Sequence, residues 1–424
     1  MESNQIIGNE SRGTLKESPV HQCPDVAIAK KAFASGKTLP LEFRRQQLKN
    51  LLNLFNDERC RQKIMAALHQ DMRKSYQEAI TSEILTVKME ISKILTNFEA
   101  FLGTKRAIAA GNCVIVKPSE ISKHCADVML ELLPQYLDNE CYRVVVGDAE
   151  VSKSLVKHQF DYIFFTGSQT VGKQILQAGA DNFTPVTLEL GGKCPVYLDE
   201  TACNKIGVKR ILWAKSINSG QACIGPDYIL CSEKVQGGKS DEKDLWIEPT
   251  FVGNVKRDDS LMSEEIFGPI LPIVPVKSVD EAISFINSID APLVVHVFSK
   301  DEDAITKLQN STHSGAFSVN DLILQIQDLR LPFGGKRKSG MGQYHGKHSI
   351  ETFSQKRSVL TRGLTYFSEK VLEMRYPPVT VMKVRIQEFF MMLIEFMDIT
   401  LKPGISHALV FFIGIFLSVM LTQV

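Results

Sequence analysis

The sequence predicts an α/β fold built on parallel sheets and followed by a membrane-spanning C-terminal helix. Three observations predict it. Beyond Asn112, runs of three to six β-branched and aromatic residues alternate with helical stretches, as in parallel strands joined by crossover helices. Before Asn112, apolar residues recur only at helical spacing. From Ile405 to Val424 the chain reads ISHALVFFIGIFLSVMLTQV, with no Asp, Glu, Lys or Arg. A helix of that length covers roughly 30 Å, the hydrocarbon thickness of a bilayer.

The elements follow in order. Residues 1–24 are polar, without a period, and read as a disordered extension. A helix opens at Asp25 and stops near Gly36. A second pattern runs from Leu41 to about Met72, with Leu48, Leu51, Leu52 and Phe55 on one face. In a third, Ile80, Ile84, Val87, Ile91, Ile94, Phe98 and Phe101 alternate in steps of four and three, one face of a long helix that packs in a core or subunit interface. Strands are expected at Val114–Val116, Tyr142–Val146 and Asp161–Phe165, with a helix from Ser122 to Leu137. A second α/β region has strands near Val196–Leu198, Tyr228–Cys231, Leu271–Val276 and Val294–Phe298, and helices near Lys205–Ser216 and Asp280–Asn287. Gln387–Leu401 fits either an amphipathic helix in the membrane interface or a helix packed on the globular body.

Composition excludes several functions. The 424 residues carry 49 Lys plus Arg against 48 Asp plus Glu, a net charge of +1, which argues against nucleic-acid binding. The nine cysteines contain no C-x-x-C pair, so neither a disulfide framework nor a zinc site is indicated and a reducing compartment fits. No apolar h-region of a signal peptide precedes the first helix. Arg375, Lys383, Arg385 and Lys402 precede the uncharged segment and no basic residue follows it, which keeps the body on the cytosolic face. The alternative for that segment is a buried C-terminal helix.

Three segments can carry chemistry. Asp161 to Lys173 reads as a strand ending at Gly167 that enters a helix, a turn whose outward N–H groups can hold a phosphate. Gly167, Gly172 and Lys173 satisfy G-x-x-x-x-G-K, but Gln174 stands where a P-loop needs Ser or Thr for magnesium, so an NTPase is disfavoured. The G-x-G-x-x-G fingerprint is absent too, leaving a variant dinucleotide site or a plain tight turn. In Thr187 to Pro195, Glu189 lies between two leucines. It faces solvent by simple alternation; an apolar setting would instead raise its pKa toward neutrality, as a general base needs. In Asn218 to Pro226, Cys223 sits among small residues, where a thiolate meets substrate unobstructed; a lone Cys is otherwise an inert buried hydrophobe.

Together these residues resemble the aldehyde dehydrogenase superfamily. Lys117 to Glu120 (KPSE), Glu189 to Lys193 (ELGGK), Gly220 to Cys223 (GQxC), Glu264 to Pro269 (EEIFGP) and Pro332 to Gly340 (PFGGxxxSG) occur in the family's order. The likeness covers about residues 25–380. Tyr344 to Ser349 and the apolar tail resemble the class 3 branch, with its membrane-anchored fatty aldehyde dehydrogenases. The resemblance implies a Rossmann-type cofactor domain at 25–186, an α/β catalytic domain at 187–345, a bridging and juxtamembrane segment at 346–402 and a transmembrane anchor at 405–424.

It further implies that Cys223 attacks the aldehyde to form a thiohemiacetal. Hydride passes to nicotinamide, and Glu189 activates the water that hydrolyses the thioester. Lys117 and Glu120 would contact the adenosine ribose hydroxyls, Gly167 and Ser168 would approach the pyrophosphate, Glu265 would hold the nicotinamide ribose with Phe267 packing nearby, and Ser119, Gly172 and Leu190 would complete the cofactor-binding residues. The cofactor would be NAD, since Glu120 repels a 2′-phosphate, with NADP possible in the class. Substrates would be medium- to long-chain aliphatic aldehydes, the anchor would contact membrane lipid at the endoplasmic reticulum, and the chain would pair as a homodimer.

Two departures stand out. Between Leu102 and Ala109, family members carry a few dozen more residues, including the first strand of the cofactor domain and a Trp-Asn-Tyr/Phe-Pro motif whose Asn serves the oxyanion hole; no such motif occurs here. A second stretch is short at 232–246. Loss of an interior strand should leave its neighbours with unpaired backbone.

Overall fold

Helices fill the first part of the chain, but two of them break where a local hydrogen bond wins over the apolar period. The computed structural model describes residues 23–96, 105–231, 240–241, 246–247, 249–361, 376–378 and 380–400. Helix α1 (Pro24–Ala34) starts on a proline, whose missing N–H costs nothing there, and buries Val26, Ala29 and Ala32. The single helix expected from Leu41 to Met72 is two, α2 (Leu41–Asn56) and α3 (Glu58–Met72). Asp57 divides them because its carboxylate accepts the Arg59 and Cys60 N–H groups at 2.8 and 3.4 Å, capping a new helix. The long apolar stripe starts as a π-helical segment, Ala79–Ile84, before α4 (Leu85–Thr96). Ile84, Ile91 and Ile94 are buried, whereas Phe98 and Phe101 lie outside the described residues. With α5 (Lys105–Ala110), these helices enclose Leu48, Leu51, Ile91, Ile94 and Ala109.

The parallel strands then divide among separate sheets. β1 (Val114–Val116) pairs with β2 (Tyr142–Val144), with helix α6 (Lys123–Tyr136) between them in sequence. After α7 (Ala149–Leu155), β3 (Ile163–Gly167) runs two residues later than the sequence suggested and pairs with β4 (Val186–Leu190) across α8 (Gln169–Asp181). A six-stranded sheet is formed by β5 (Pro195–Leu198), β6 (Tyr228–Cys231), β7 (Thr250–Val252), β8 (Ile270–Pro275), β9 (Val294–Phe298) and β10 (Ala316–Val319). Its order is β10-β9-β5-β6-β8-β7, with every pair parallel. Helix α9 (Lys205–Ser216) and the pair α10 (Val279–Asn287) and α11 (Glu302–Ser311) supply apolar residues to two clusters against this sheet. All five residues of β9 are buried, as expected for an inner parallel strand. The short strand β11 (Gly340–Met341) joins β4 antiparallel, placing Gly340 opposite Glu189. Helix α12 (His348–Phe353) follows; the Phe353 carbonyl accepts the Asn112 side-chain amide at 2.8 Å.

Among the described residues no strand lies between β1 and β3. The consequence shows in their burial: every residue of β1 is half-buried, and Phe164, Thr166 and Gly167 of β3 are exposed. Strands of a parallel sheet are normally covered on both faces. β3 donates through Ile163 N–H to the Pro185 carbonyl at 3.0 Å, so its alternate amides, Phe164 and Thr166, face the open edge.

Contacts divide the chain into two units, Met1–Gln355 and Lys356–Val424. The second contains α13 (Val381–Thr400), on which Val381, Met382, Phe389, Met391 and Met392 are exposed. Among the described residues no helix is long and apolar enough to cross a membrane, and the anchor expected at 405–424 lies outside them. So do the extension at residues 1–22 and most of the short stretch at 232–246, of which only a pairing of Ser240 and Asp241 with Trp246 and Ile247 is described.

The open edge makes a measurable difference. Amides of Phe164 and Thr166 should exchange with solvent about a hundredfold or more faster than those of Val295 and Val297 in native-state hydrogen exchange; equal protection would show that β3 has a partner.

Candidate active site

The site is held by a buried lysine whose three donors are all used. Lys193, just beyond β4, is paired with Asp227 at 2.5 Å, with both side chains about 5% exposed. The same ammonium donates to the Leu261 and Glu264 carbonyls at 2.8 and 2.9 Å. Asp227 accepts the Ile266 N–H at 2.9 Å through its other oxygen, and its own N–H donates to the Cys194 carbonyl. One ion pair thus joins the turn after β4, the segment after Cys223 and the loop that carries Glu265. Neither residue was singled out from the sequence for this role; Lys193 stood inside a quoted motif, but its partner lies 34 positions away.

Close backbone approach completes the assembly. A Cβ on Gly191 would stand 1.7 Å from Glu265 Oε2, so only glycine admits that carboxylate, which accepts the Gly192 N–H. Gly220 has φ +82°, and a Cβ there would meet the Gly268 carbonyl at 2.2 Å. The ELGGK, GQxC and EEIFGP segments are therefore in contact.

Glu189 is 3% exposed, and neither carboxylate oxygen has a hydrogen-bond partner among the described residues. Simple alternation would have sent it to solvent, but β4 is covered on both faces. Burial alone pushes its carboxyl up to about 8. Cys223 follows a turn in which Asn218 and Ser219 both hold left-handed backbone, φ 56° and 55°, a conformation costing of order 1–3 kcal/mol per residue. Its carbonyl accepts the Cys194 thiol at 3.3 Å. Burial, then the charges of Glu189 and Glu265, push the Cys223 thiol up to about 12. Glu265, half-buried, rises likewise to about 7. The core side of the loop is held by His296, whose Nε2 is 3.0 Å from the Ile224 carbonyl, and by Lys215, which donates to the Pro226 carbonyl at 2.9 Å.

The expected cofactor residues lie on two sheets. Lys117 and Glu120, at the end of β1, pair with each other at 2.6 Å, and the Ser119 hydroxyl accepts the Ile121 N–H. Gly167 and Ser168 are exposed at the start of α8, where Ser168 caps the Val171 N–H at 3.3 Å. Gly172 is buried beneath Leu190, which brings α8 close to β4. Phe267 is 47% exposed with φ 47°, strained backbone for a bulky residue beside a half-buried carboxylate. Free N–H groups at the α8 turn, an exposed ring and a half-buried Glu265 fit a dinucleotide. The structure assembles the turn, Leu190, Glu265 and Phe267 with Glu189 and Cys223, and leaves Lys117 to Glu120 on the separate β1–β2 sheet.

Comparison with known proteins decides the family. The sequence profile described as "Aldehyde dehydrogenase family" matches residues 97–238 and 232–359. The chain belongs to the aldehyde dehydrogenase family. Among its relatives, aldehyde dehydrogenase family 3 member B1 of Mus musculus is 36% identical over 446 aligned positions, covering 84% of this chain and 94% of that protein. Family 3 member A2 of Pongo abelii is also 36% identical, covering 87% and 93%. Among solved structures, the substrate-bound state of Staphylococcus aureus AldH matches with a TM-score of 0.76 and 31% identity, over 87% of this chain and 99% of that one. The Mycobacterium tuberculosis aldehyde dehydrogenase complexed with NAD+ shares the fold at a TM-score of 0.69 and 19% identity, over 80% and 89%. In the Mus musculus alignment, 84% of 424 residues is about 356 residues, so of the 446 positions about 90 are filled by the relative alone. The two profile matches also meet at 232–238, where the second short stretch lies.

The buried carboxyl makes stability depend on pH. The folded pKa of Glu189 lies above its unfolded value of 4.5, so the folded state binds the proton more tightly, and stability falls as pH rises from about 4.5 to about 8. Glu189→Gln should therefore gain stability relative to the unsubstituted chain by a few kcal/mol at pH 8 and little at pH 4.5. Urea denaturation at the two pH values measures this; an unchanged difference would place the carboxyl in water.

Proposed function

We propose that this chain oxidises medium- to long-chain aliphatic aldehydes to carboxylic acids, with NAD as acceptor, through Cys223 and Glu189. The observation that carries the reading is the convergence of a half-buried thiol, a buried carboxyl without a partner among the described residues and the Glu265 loop around one ion pair. Cys223 sulfur bonds the aldehyde carbon as the thiol proton passes to the carbonyl oxygen, giving a thiohemiacetal. NAD, when bound, supplies the hydride acceptor. Glu189 removes a proton from the water that attacks the resulting thioester, and a carboxyl raised by burial is a strong enough base for that step once ionised. Glu265 and Phe267 hold the nicotinamide end, Gly167 and Ser168 meet the pyrophosphate at the α8 N-terminus, and Lys117 with Glu120 orders the adenosine ribose. A carboxylate at Glu120 disfavours a 2′-phosphate, which supports NAD over NADP.

The chain lacks the Asn donor implied for the oxyanion hole, and loss of one such donor lowers rates about a hundred- to a thousandfold. A second reading, a catalytically impaired chain that binds cofactor or pairs with active subunits, is favoured by the absence among the described residues of a strand between β1 and β3; the first reading has the chain as a homodimer. Purified protein with NAD and a long-chain aldehyde separates the two. Slow turnover, about a hundred- to a thousandfold below a relative with the Asn motif and abolished by Cys223→Ala, supports the first reading. Turnover indifferent to that substitution would refute the nucleophile, and none at all would select the second.

The uncharged segment Ile405–Val424 supports a tether to the endoplasmic reticulum membrane with the body facing the cytosol, and the exposed apolar residues of α13 suit the bilayer interface. The full chain should sediment with membranes through a carbonate wash and a chain ending at Lys402 should not; a wash that frees the full chain would contradict a spanning anchor.

A further inference from the structure

We propose that Glu78 is a positioning residue for the Cys223 loop: its carboxylate fixes the left-handed turn from which the nucleophile is presented. The inference rests on the reading of Cys223 as nucleophile. Glu78 Oε1 accepts the Asn218 N–H at 2.7 Å, across 140 residues of sequence. Asn218 is the first of three successive residues with positive φ, 56°, 55° and 82° at Asn218, Ser219 and Gly220. Two of these are not glycine, and such a run persists only where its surroundings impose it.

The loop is anchored unequally on its two sides. Downstream, Cys194 reaches the Cys223 carbonyl, His296 the Ile224 carbonyl and Lys215 the Pro226 carbonyl. Upstream, among the described residues the Asn218 and Gln221 side chains bond to one another's backbone, Asn218 Nδ2 to the Gln221 carbonyl at 3.0 Å and Gln221 Nε2 to the Asn218 carbonyl at 3.2 Å. Those bonds hold the turn's shape without tying it to another element. Glu78 is the described side chain from outside the loop that bonds the strained stretch, and its charge strengthens the bond to an N–H.

Glu78 is itself set by an unusual piece of helix. It ends the short turn Tyr76–Glu78, where Ser75 Oγ accepts its N–H at 3.2 Å, and the π-helical segment Ala79–Ile84 begins at the next residue. The Ser82 hydroxyl donates to the Glu78 carbonyl at 2.7 Å, and the buried Lys74 ammonium bonds Ser82 at 3.5 Å and pairs with Glu83. A π-turn rotates the side chains that flank it relative to a regular helix and frequently occurs at functional sites. Here the residue on its edge is the one that reaches the nucleophile loop.

The test needs neither cofactor nor aldehyde. Alkylation of Cys223 by iodoacetamide, followed by peptide mass spectrometry, should accelerate about tenfold in Glu78→Ala as the loop relaxes, and stay within about twofold in Glu78→Gln, whose amide oxygen still accepts the N–H. Where turnover is measurable, Glu78→Ala should lower kcat about tenfold with KM little changed, and Glu78→Gln should restore it. Alkylation of Glu78→Ala at the unsubstituted rate would overturn the proposal. If the buried thiols of Cys60, Cys141 and Cys194 also accelerate in Glu78→Ala, the fold itself has loosened; Glu78→Met, similar in length but without an acceptor, is then read by the same criterion. Failure of the dehydrogenase reading would show separately, as turnover unaffected by Cys223→Ala.

Discussion

The ammonium of Lys193 sits where three segments distant in sequence meet: it follows β4, and its protons go to Asp227, beyond Cys223, and to the Leu261 and Glu264 carbonyls of the segment that leads into Glu265. A charge buried in this way is tolerable only because every donor is used, and removing one partner of such a pair typically costs about 3–5 kcal/mol. Its value here is geometric. The strand that carries Glu189 runs directly into the turn that carries Lys193. The ion pair therefore transmits the position of β4 to the loops that hold Cys223 and Glu265. Gly191 and Gly220 let those backbones close to contact distance, and loss of water pushes up the carboxyl of Glu189, which has no partner among the described residues, and that of Glu265 despite its bond from the Gly192 N–H.

Much of this was legible in the residues. The β-branched runs located β6 and β9 to the residue, and Lys205–Ser216 is a helix with the bounds its pattern indicates. These elements are read well because each is fully committed to one sheet, so local pattern and burial agree. Reading fails where the backbone departs locally from the apolar period. Asp57 splits one apolar period into two helices, and Ala79–Ile84 winds as a π-helix inside the most regular stripe of the chain. Cys223 and Glu189 were accessible through their motifs, whereas Asp227, His296 and Glu78 become visible only in three dimensions. Each acts through backbone groups of another segment, and no local spacing marks that.

The two sides of the site differ in completeness. The six-stranded sheet has its inner strands buried and paired, and it carries the loops of Cys223 and Glu265. The region expected to hold the dinucleotide is divided into β1–β2 and β3–β4–β11, with the Lys117 and Glu120 pair on one part and the pyrophosphate turn on the other. About 90 positions of the Mus musculus relative have no counterpart here, and the short stretch after Leu102 falls between helix α4 and β1, ahead of the divided sheet. Chemistry confined to Cys223 and Glu189 is therefore less affected than steps that need the dinucleotide held along its whole length.

If Cys223 is the nucleophile and Glu189 the base, a nitrophenyl ester acylates Cys223 with no dinucleotide required: the thiol displaces nitrophenol to give the thioester, and water activated by Glu189 releases the acid and the thiol. A burst of about one equivalent of nitrophenol per chain is then expected, absent in Cys223→Ala, followed by turnover that Glu189→Gln slows. Release of nitrophenol at the same rate from Cys223→Ala would contradict that role of Cys223.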